Sequence, residues 1–369
     1  MFLRKFAPIF ILVLLVGCTK SDPKAGSIEI GSALPLSGPV AYYGDSAKKG
    51  MDIAIDEINA AGGIAGLKIE VFYEDTRGTA KDSVSAMRKL VDVNQVPVVV
   101  GAGTSTETLA ITKIAESTKT VLISPASSAA EIREAGEFIF RSVPSDGFQA
   151  EMLAQLVYEQ GVRKVGLVFV NSSWGASMKK NFVRTFESLG GEILTVQTSE
   201  IDDKDFRTAA LNLKQSNPDA IVAITYAKGG GRLVKQAREL GIATQLYGTD
   251  PWTIAEFLES AGESAEGCVY TTPGKYEGPE FQEFKKKYEE RYGEEPNVYA
   301  GNGYDCIKLI AKCIESGART GPEIQAAMAT IQGFSGVSGT TTFDEKGDVV
   351  SKEFRRMTIK NGKSVPFKP

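Results

Sequence analysis

The chain of 369 residues contains no histidine. That removes the serine–histidine triad, an imidazole general base and most zinc sites. No G-x-S-x-G elbow and no G-x-x-x-x-G-K-[ST] phosphate loop occurs, so two common routes to hydrolysis and nucleotide binding are also missing. Basic charge is not in excess either, since 42 Lys and Arg face 46 Asp and Glu. A basic stripe for nucleic acid is therefore not expected. No catalytic machinery, cofactor or metal site is expected.

Long apolar runs are confined to the start. Arg4 and Lys5 precede an apolar stretch from Phe6 to Val16, too short for a comfortable membrane span and patterned as an export signal. Its end, Leu15-Val16-Gly17-Cys18, resembles the lipobox of bacterial lipoproteins. This resemblance implies cleavage after residue 17 and a diacylglycerol on Cys18. Residues 18–26, polar and carrying Pro23, read as a flexible tether between that anchor and the body. An exported cell-envelope protein held to a membrane through Cys18 is expected.

Loss of Arg4 and Lys5 leaves 40 basic against 46 acidic side chains. A body of about 340 residues exceeds what one core usually holds, so two domains are expected. Three cysteines remain, Cys268, Cys306 and Cys313, and an odd number leaves at least one without an intrachain partner. Cys306 and Cys313 are seven apart on a predicted helix, about 10 Å along its axis, too far for a disulfide. Buried free thiols, or a bridge from Cys268 to one of the other two, both remain open.

Strands and helices alternate along the body. Predicted strands cover 27–36, 67–74, 96–101 and 120–124, with helices over 45–61, 79–93 and 105–118. The rhythm restarts after Pro144, with strands over 164–170, 192–198, 220–226 and 245–248 and helices over 147–160, 174–189, 205–216 and 230–240. Repeated βα units predict two doubly wound parallel sheets. Three successive helices (279–292, 299–316, 321–331) and short strands near 337–343 and 353–359 then break the pattern, which suggests that the chain crosses between lobes more than once.

Such sheets bind ligands beyond the carboxyl ends of their strands. One such end reads "VVVGAGTSTE", residues 98–107. It lacks the third glycine of a dinucleotide fingerprint, but Thr104 stands three residues before Glu107, a capping-box spacing. The N–H groups of Ser105 and Thr106 would then open a helix and suit a carboxylate, or the loop is an ordinary N-cap. "SPASSAA", residues 124–130, repeats the theme at the next strand end. On the second half, Trp174 opens a helix, Tyr226 ends a strand and Asp250 follows another. Asp250 either takes an ammonium group or caps the helix after Pro251. "KGGGR", residues 228–232, reads as a tight turn, and Tyr42, Tyr43 and Tyr299 as walls or plain packing. A carboxylate cradle facing an acid and aromatics describes an amino-acid clamp.

Over essentially the whole body the sequence resembles the type I periplasmic binding proteins for leucine, isoleucine and valine that serve ABC importers. The stretch "ALPLSGPVAYYGDSAKKGMDIAIDEINAAGGIAGLKIEVFYED", residues 33–75, and the later "ISPASS", "KQARELGIATQLYG" and "FDEKGDV" carry the resemblance. It implies an α/β fold of two lobes, residues 27–146 with 275–352 and residues 147–274 with 353–369, joined by a three-strand hinge. It also implies a monomer that closes on one ligand and presents it to a membrane permease. Carried over by position, Ser105 and Thr106 would bind the α-carboxylate. Ala126, through its carbonyl, and Ser128 would meet the ammonium and carboxylate. Tyr226 would cover the ligand and Asp250 would pair with the ammonium. Trp174, Tyr43 and Tyr299 would wall the side-chain pocket.

The family's disulfide falls at Arg77 and Thr104 here, so it is absent. Asp250 is one methylene shorter than the glutamate of some members, and Trp174 is bulkier than their tyrosine, which leaves the preferred side chain open. The same fold also serves amide sensors, urea binders and binders of aromatic acids, and these are the alternative ligands.

Overall fold

The computed structural model describes residues 26–274 and 277–368. The predicted export signal, Cys18 and all of the tether except Gly26 lie outside the described residues.

Chain order explains the architecture. The first half runs β1 (Ser27–Leu34), α1 (Ala41–Ala60), β2 (Lys68–Asp75), α2 (Ala80–Arg88), β3 (Val98–Gly101), α3 (Ser105–Thr118), β4 (Val121–Ser124) and β5 (Ile139–Arg141). Its strands form one sheet in the order β2-β1-β3-β4-β5, parallel throughout. β3 and β4 are apolar and buried along their length because helices cover both faces, which is why they read as continuous runs and not as alternation.

The second half runs α4 (Asp146–Glu159), β6 (Lys164–Val170), α5 (Ser173–Ser188), β7 (Glu192–Ser199), α6 (Arg207–Gln215), β8 (Ala220–Ile224), α7 (Ala227–Glu239), β9 (Gln245–Gly248), α8 (Ala255–Ala261) and β10 (Val269–Pro273). These strands form a second parallel sheet, β10-β9-β8-β6-β7.

The chain then returns to the first sheet. In α9 (Pro279–Tyr292), α10 (Val298–Glu315) and α11 (Gly321–Ala329), the middle helix packs along α1 and sends Ile307 and Ile310 into the core shared with Ile30, Val98 and Ile123. Two helical glycines make this approach possible. A Cβ on Gly50 would lie 1.8 Å from the carbonyl oxygen of Ala300, and one on Gly303 would lie 2.2 Å from that of Ala47. After a short hairpin, β11 (Phe334–Gly336) with β12 (Gly339–Thr341), the chain crosses again. β13 (Phe354–Lys360) and β14 (Lys363–Pro366) then extend the second sheet as an antiparallel edge.

Several sequence expectations differ from the structure. β5, β10 and β14 were not expected, and in place of the short strand predicted near 337–343 stands the hairpin of β11 and β12. α1 starts four residues earlier than predicted, which puts Tyr42 and Tyr43 on the helix. "KGGGR" is not a turn: α7 begins at Ala227, and a Cβ on Gly230 would lie 2.4 Å from Trp252 Nε1. Glycine there lets the helix pass against an indole. All three cysteines are free and buried. Cys268 lies in a core of the second sheet, whereas Cys306 and Cys313 lie in the core of the first, which separates the pairs that a bridge would need.

Candidate functional site

The carboxyl ends of β3 and β4 meet those of β8 and β9 across a cleft. Thr104 caps α3 as its spacing predicts, accepting from the Glu107 N–H at 3.4 Å and donating to Glu107 Oε2 at 2.7 Å. Much of the hydroxyl content in this region stitches the two loops together. Ser124 Oγ donates to the Ala102 carbonyl at 2.8 Å and accepts from the Ser127 N–H at 2.9 Å, and Thr108 and Ser127 share a 2.8 Å bond. Ser105 Oγ accepts from the Ala129 N–H at 3.2 Å, which holds the hydroxyl at the start of α3 with its own proton still to give. The loops are rigid because their small side chains bond to one another.

From the second lobe come three groups. Ser172 caps α5, accepting from the Gly175 N–H at 3.0 Å, and so presents Trp174 in the first turn of that helix. Tyr226 occupies the N-cap position of α7, and Asp250 opens the single 3-10 turn Asp250–Thr253 after β9. Trp174 stacks on Tyr226 with ring centroids 5.1 Å apart at 16°. Tyr43 stands 5.5 Å from Tyr226 and edge-on to Tyr299 at 4.8 Å.

These groups enclose one cavity, lined by Tyr43, Ser105, Ala126, Ser128, Trp174, Tyr226, Asp250 and Tyr299, together with Gly103, Thr104 and Pro251. Every predicted site residue except Thr106 is there. Thr106 instead bridges the lobes, its Oγ1 accepting from the Ser173 N–H at 3.0 Å. The cavity holds about 20 Å³, room for about one water. An organic ligand therefore enters only with the lobes further apart.

The electrostatics are uneven across this space. Asp250 is part-buried, with Oδ2 accepting from Tyr299 Oη at 3.0 Å and Oδ1 closed off from solvent with no hydrogen-bond partner. It makes no cap on the helical turn that it opens. Burial of the head group pushes its pKa up to about 6, against the favourable effects of Gln149 and Tyr299. The Tyr43 hydroxyl is likewise buried without a partner. Facing them is the N-terminus of α3, whose first N–H groups carry partial positive charge.

Sequence reasoning missed Asp146. This first residue of α4 is buried behind the cavity, and its N–H donates to the Ser128 carbonyl at 2.8 Å. The only signal was an acid after Ser145 at a helix start, which reads as an ordinary first-turn charge. Among the described residues no cluster of three or more metal-ligating side chains of the His, Cys, Asp and Glu types occurs, and no helix is long and apolar enough to cross a membrane.

Known proteins share this fold. The profile of the periplasmic binding protein family matches residues 27–363. The chain is 27% identical to the leucine-, isoleucine-, valine-, threonine- and alanine-binding protein of Pseudomonas aeruginosa, over 95% of each chain. It is 32% identical to a branched-chain amino acid transporter substrate-binding protein of Streptococcus pneumoniae solved with isoleucine, covering 93% of this chain and 100% of that one with a TM-score of 0.85. A solute-binding protein of an ABC transporter from Rhodopseudomonas palustris, solved with benzoate, shares the fold at a TM-score of 0.84 and 22% identity, over 92% of this chain and 95% of that one. With its two parallel-sheet lobes and cleft, the chain belongs to the type I periplasmic binding proteins, in the branched-chain amino acid family of extracytoplasmic, non-enzymatic substrate-binding proteins of ABC transporters.

Proposed function

We propose that the protein binds an α-amino acid with an apolar, branched-chain-like side chain between its lobes and delivers it to an ABC permease. The observation that carries this reading is the polarity of the cavity. One wall is the start of α3 with the Ser105 hydroxyl, and the other offers the unpartnered Oδ1 of Asp250.

A zwitterion satisfies both walls at once. Its carboxylate would take the N–H groups of Ser105 and Thr106 and the hydroxyls of Ser105 and Ser128, where the helix dipole and fixed donors replace lost water. Its ammonium would donate to Asp250 and to the Ala126 carbonyl. Tyr43, Trp174, Tyr226 and Tyr299 would pack on the side chain, with Tyr226 closing over the ligand. An aromatic acid has nothing to offer Asp250, which favours the amino acid. The names of the Pseudomonas and Streptococcus relatives support the same class.

Closure would be a rotation of lobe 1, residues 27–146 with 275–352, against lobe 2, residues 147–274 with 353–369, about the three crossing segments. Such a clamp works as a monomer, held to the membrane through a lipid on Cys18.

Thermal unfolding of the mature protein, stripped of ligand by refolding, tests the reading against amino acids, simple amides and aromatic acids. A ligand at about a hundred times its dissociation constant adds about 2.7 kcal/mol to stability. A shift with isoleucine, leucine or valine is expected; a shift with only amides or aromatic acids would remove the amino-acid assignment and the ammonium role of Asp250.

A further inference from the structure

Asp146 is a carboxylate without a counterpart. Its residue is fully buried, and neither Oδ1 nor Oδ2 has a hydrogen-bond partner. An acid in the first turn of a helix ordinarily turns its oxygens to the free N–H groups there. In α4 that work is done by Ser145, whose Oγ accepts from the Gly147 N–H at 3.4 Å. Nor does the nearby cation pair with Asp146. Arg141 gives Nε and Nη2 to Asp348, both at 2.7 Å, and Nη1 to the Ala129 carbonyl at 2.8 Å.

Asp146 does not itself line the cavity but adjoins two residues that do. The Ser128 hydroxyl and the Trp174 side chain, both cavity-lining, lie close enough to favour its anion without completing a hydrogen bond. Asp250 is near enough for the two negative charges to oppose each other, and Tyr226 also feels the charge of Asp146. Asp250 in the cavity wall and Asp146 behind it thus leave three carboxylate oxygens without donors around one small space. An ammonium group has three donors.

We propose that Asp146 is a second ligand-binding acid of this site, accepting a hydrogen bond from the ammonium group of the bound amino acid alongside Asp250. The inference rests on the amino-acid reading above and sharpens it. The site would select a primary ammonium beside a carboxylate and discriminate against the same molecule with a hydroxyl in place of the ammonium. Asp146 lies where the chain crosses from β5 into α4, between the two sheets, so the ligand would be gripped by both lobes and by a segment that joins them.

The test is isothermal titration of the wild type and of Asp146→Asn with isoleucine and with its 2-hydroxy analogue. Asparagine keeps the shape of the carboxyl. The expected result is a loss of tenfold or more for isoleucine, with the hydroxy acid changed less than threefold. Equal loss for both ligands, or no loss for either, overturns the role of Asp146 while leaving the amino-acid site in place. If the wild type binds no amino acid, reading and inference fall together.

Should the variant not fold, proton release by the wild type gives the answer. Burial raises the pKa of Asp146 to about 8 and that of Asp250 to about 6, while Arg141 is held by Asp348 and the phenols of Tyr43 and Tyr226 are pushed up and stay neutral. Glu107, also raised by burial, already has hydroxyl donors in Thr76, Thr104 and Ser83, so at pH 8 Asp146 is the acid poised to lose a proton to an arriving cation. Titration in buffers of different ionisation heat should report release of a fraction of a proton per isoleucine bound, and zero release would overturn the proposal.

Discussion

Tyr299 Oη donates to Asp250 Oδ2 at 3.0 Å, and this bond joins α10, packed on the first sheet, to the turn that follows β9 of the second. It ties the two sheets' elements together as well as forming part of the cavity wall. Tyr299→Phe should weaken isoleucine binding about fivefold, since one hydrogen bond to a buried group is worth about 1 kcal/mol. It should also raise the pKa of Asp250, because the phenol favours the carboxylate. Titration calorimetry at pH 7 checks this; unchanged affinity would mean that the bond does not belong to the closed, liganded form.

Asp250→Ala should cost far more. If the ammonium is buried against this carboxylate, truncation leaves a cation without its main partner, a loss of about 3–5 kcal/mol. Isoleucine affinity should fall on the order of a hundredfold or more. The melting temperature of the empty variant should hold or rise, since an acid with an unsatisfied oxygen has been removed. Near-normal affinity would contradict the assigned role.

The chain has two tryptophans, and only Trp174 lines the cavity. Trp252 is buried against Phe257 with centroids 4.5 Å apart. Because the cavity of about 20 Å³ must open to admit a ligand, the surroundings of Trp174 on the side of the first lobe change on binding. Isoleucine should therefore change the intrinsic fluorescence, and Trp174→Phe should abolish most of the change. Trp174→Ala should also shift preference toward bulkier side chains such as phenylalanine, read from melting shifts. A fluorescence change that survives in Trp174→Phe would place the movement elsewhere.

The sequence was most legible where burial leaves one answer. β6, β9, α3 and α9 have the predicted bounds because apolar runs and caps such as Thr104 leave little choice of boundary. β5 and β14 are three and four residues long, too short to show a period. The cavity residues were found from strand ends and resemblance. Thr106 departed because one helical residue onward its side chain turns from the cavity toward Ser173. Asp146 was overlooked because a first-turn acid is common, and only its failure to bond to the helix marks it as unusual.

The proposed anchor is tested apart from the clamp. Cys18→Ser should leave an exported protein that no longer partitions with membranes, with ligand-induced melting shifts unchanged because the tether adjoins β1 at Ser27, the amino-terminal end of that strand, away from the cleft. Mass spectrometry of the wild-type amino-terminal peptide should find an acylated cysteine. An unmodified Cys18 on a mature protein would remove the lipid.

Stability of the empty protein should respond to pH in an unusual direction. Burial raises Asp250 to about 6 and Asp146 to about 8 from an ordinary 3.8. Between those limits the folded state holds protons that the unfolded chain has released, so stability declines as pH rises. The contribution is fully present below the unfolded value and is lost as pH passes through about 6 and then about 8. Asp75 and Asp344 have the opposite sign, since hydrogen bonds hold their carboxylates below 3.8; their stabilisation fails only in stronger acid. The part-buried Lys352, lowered by desolvation of its ammonium, gains stability in the other direction as pH approaches the range where lysine normally titrates. Comparison with Asp146→Asn isolates the acid, because every other group is common to both proteins. The wild type should lose a few degrees of melting temperature between pH 6 and about 9 that the variant keeps, and isoleucine should narrow the gap by holding Asp146 ionised. Parallel melting curves would mean that Asp146 is not protonated in the empty site.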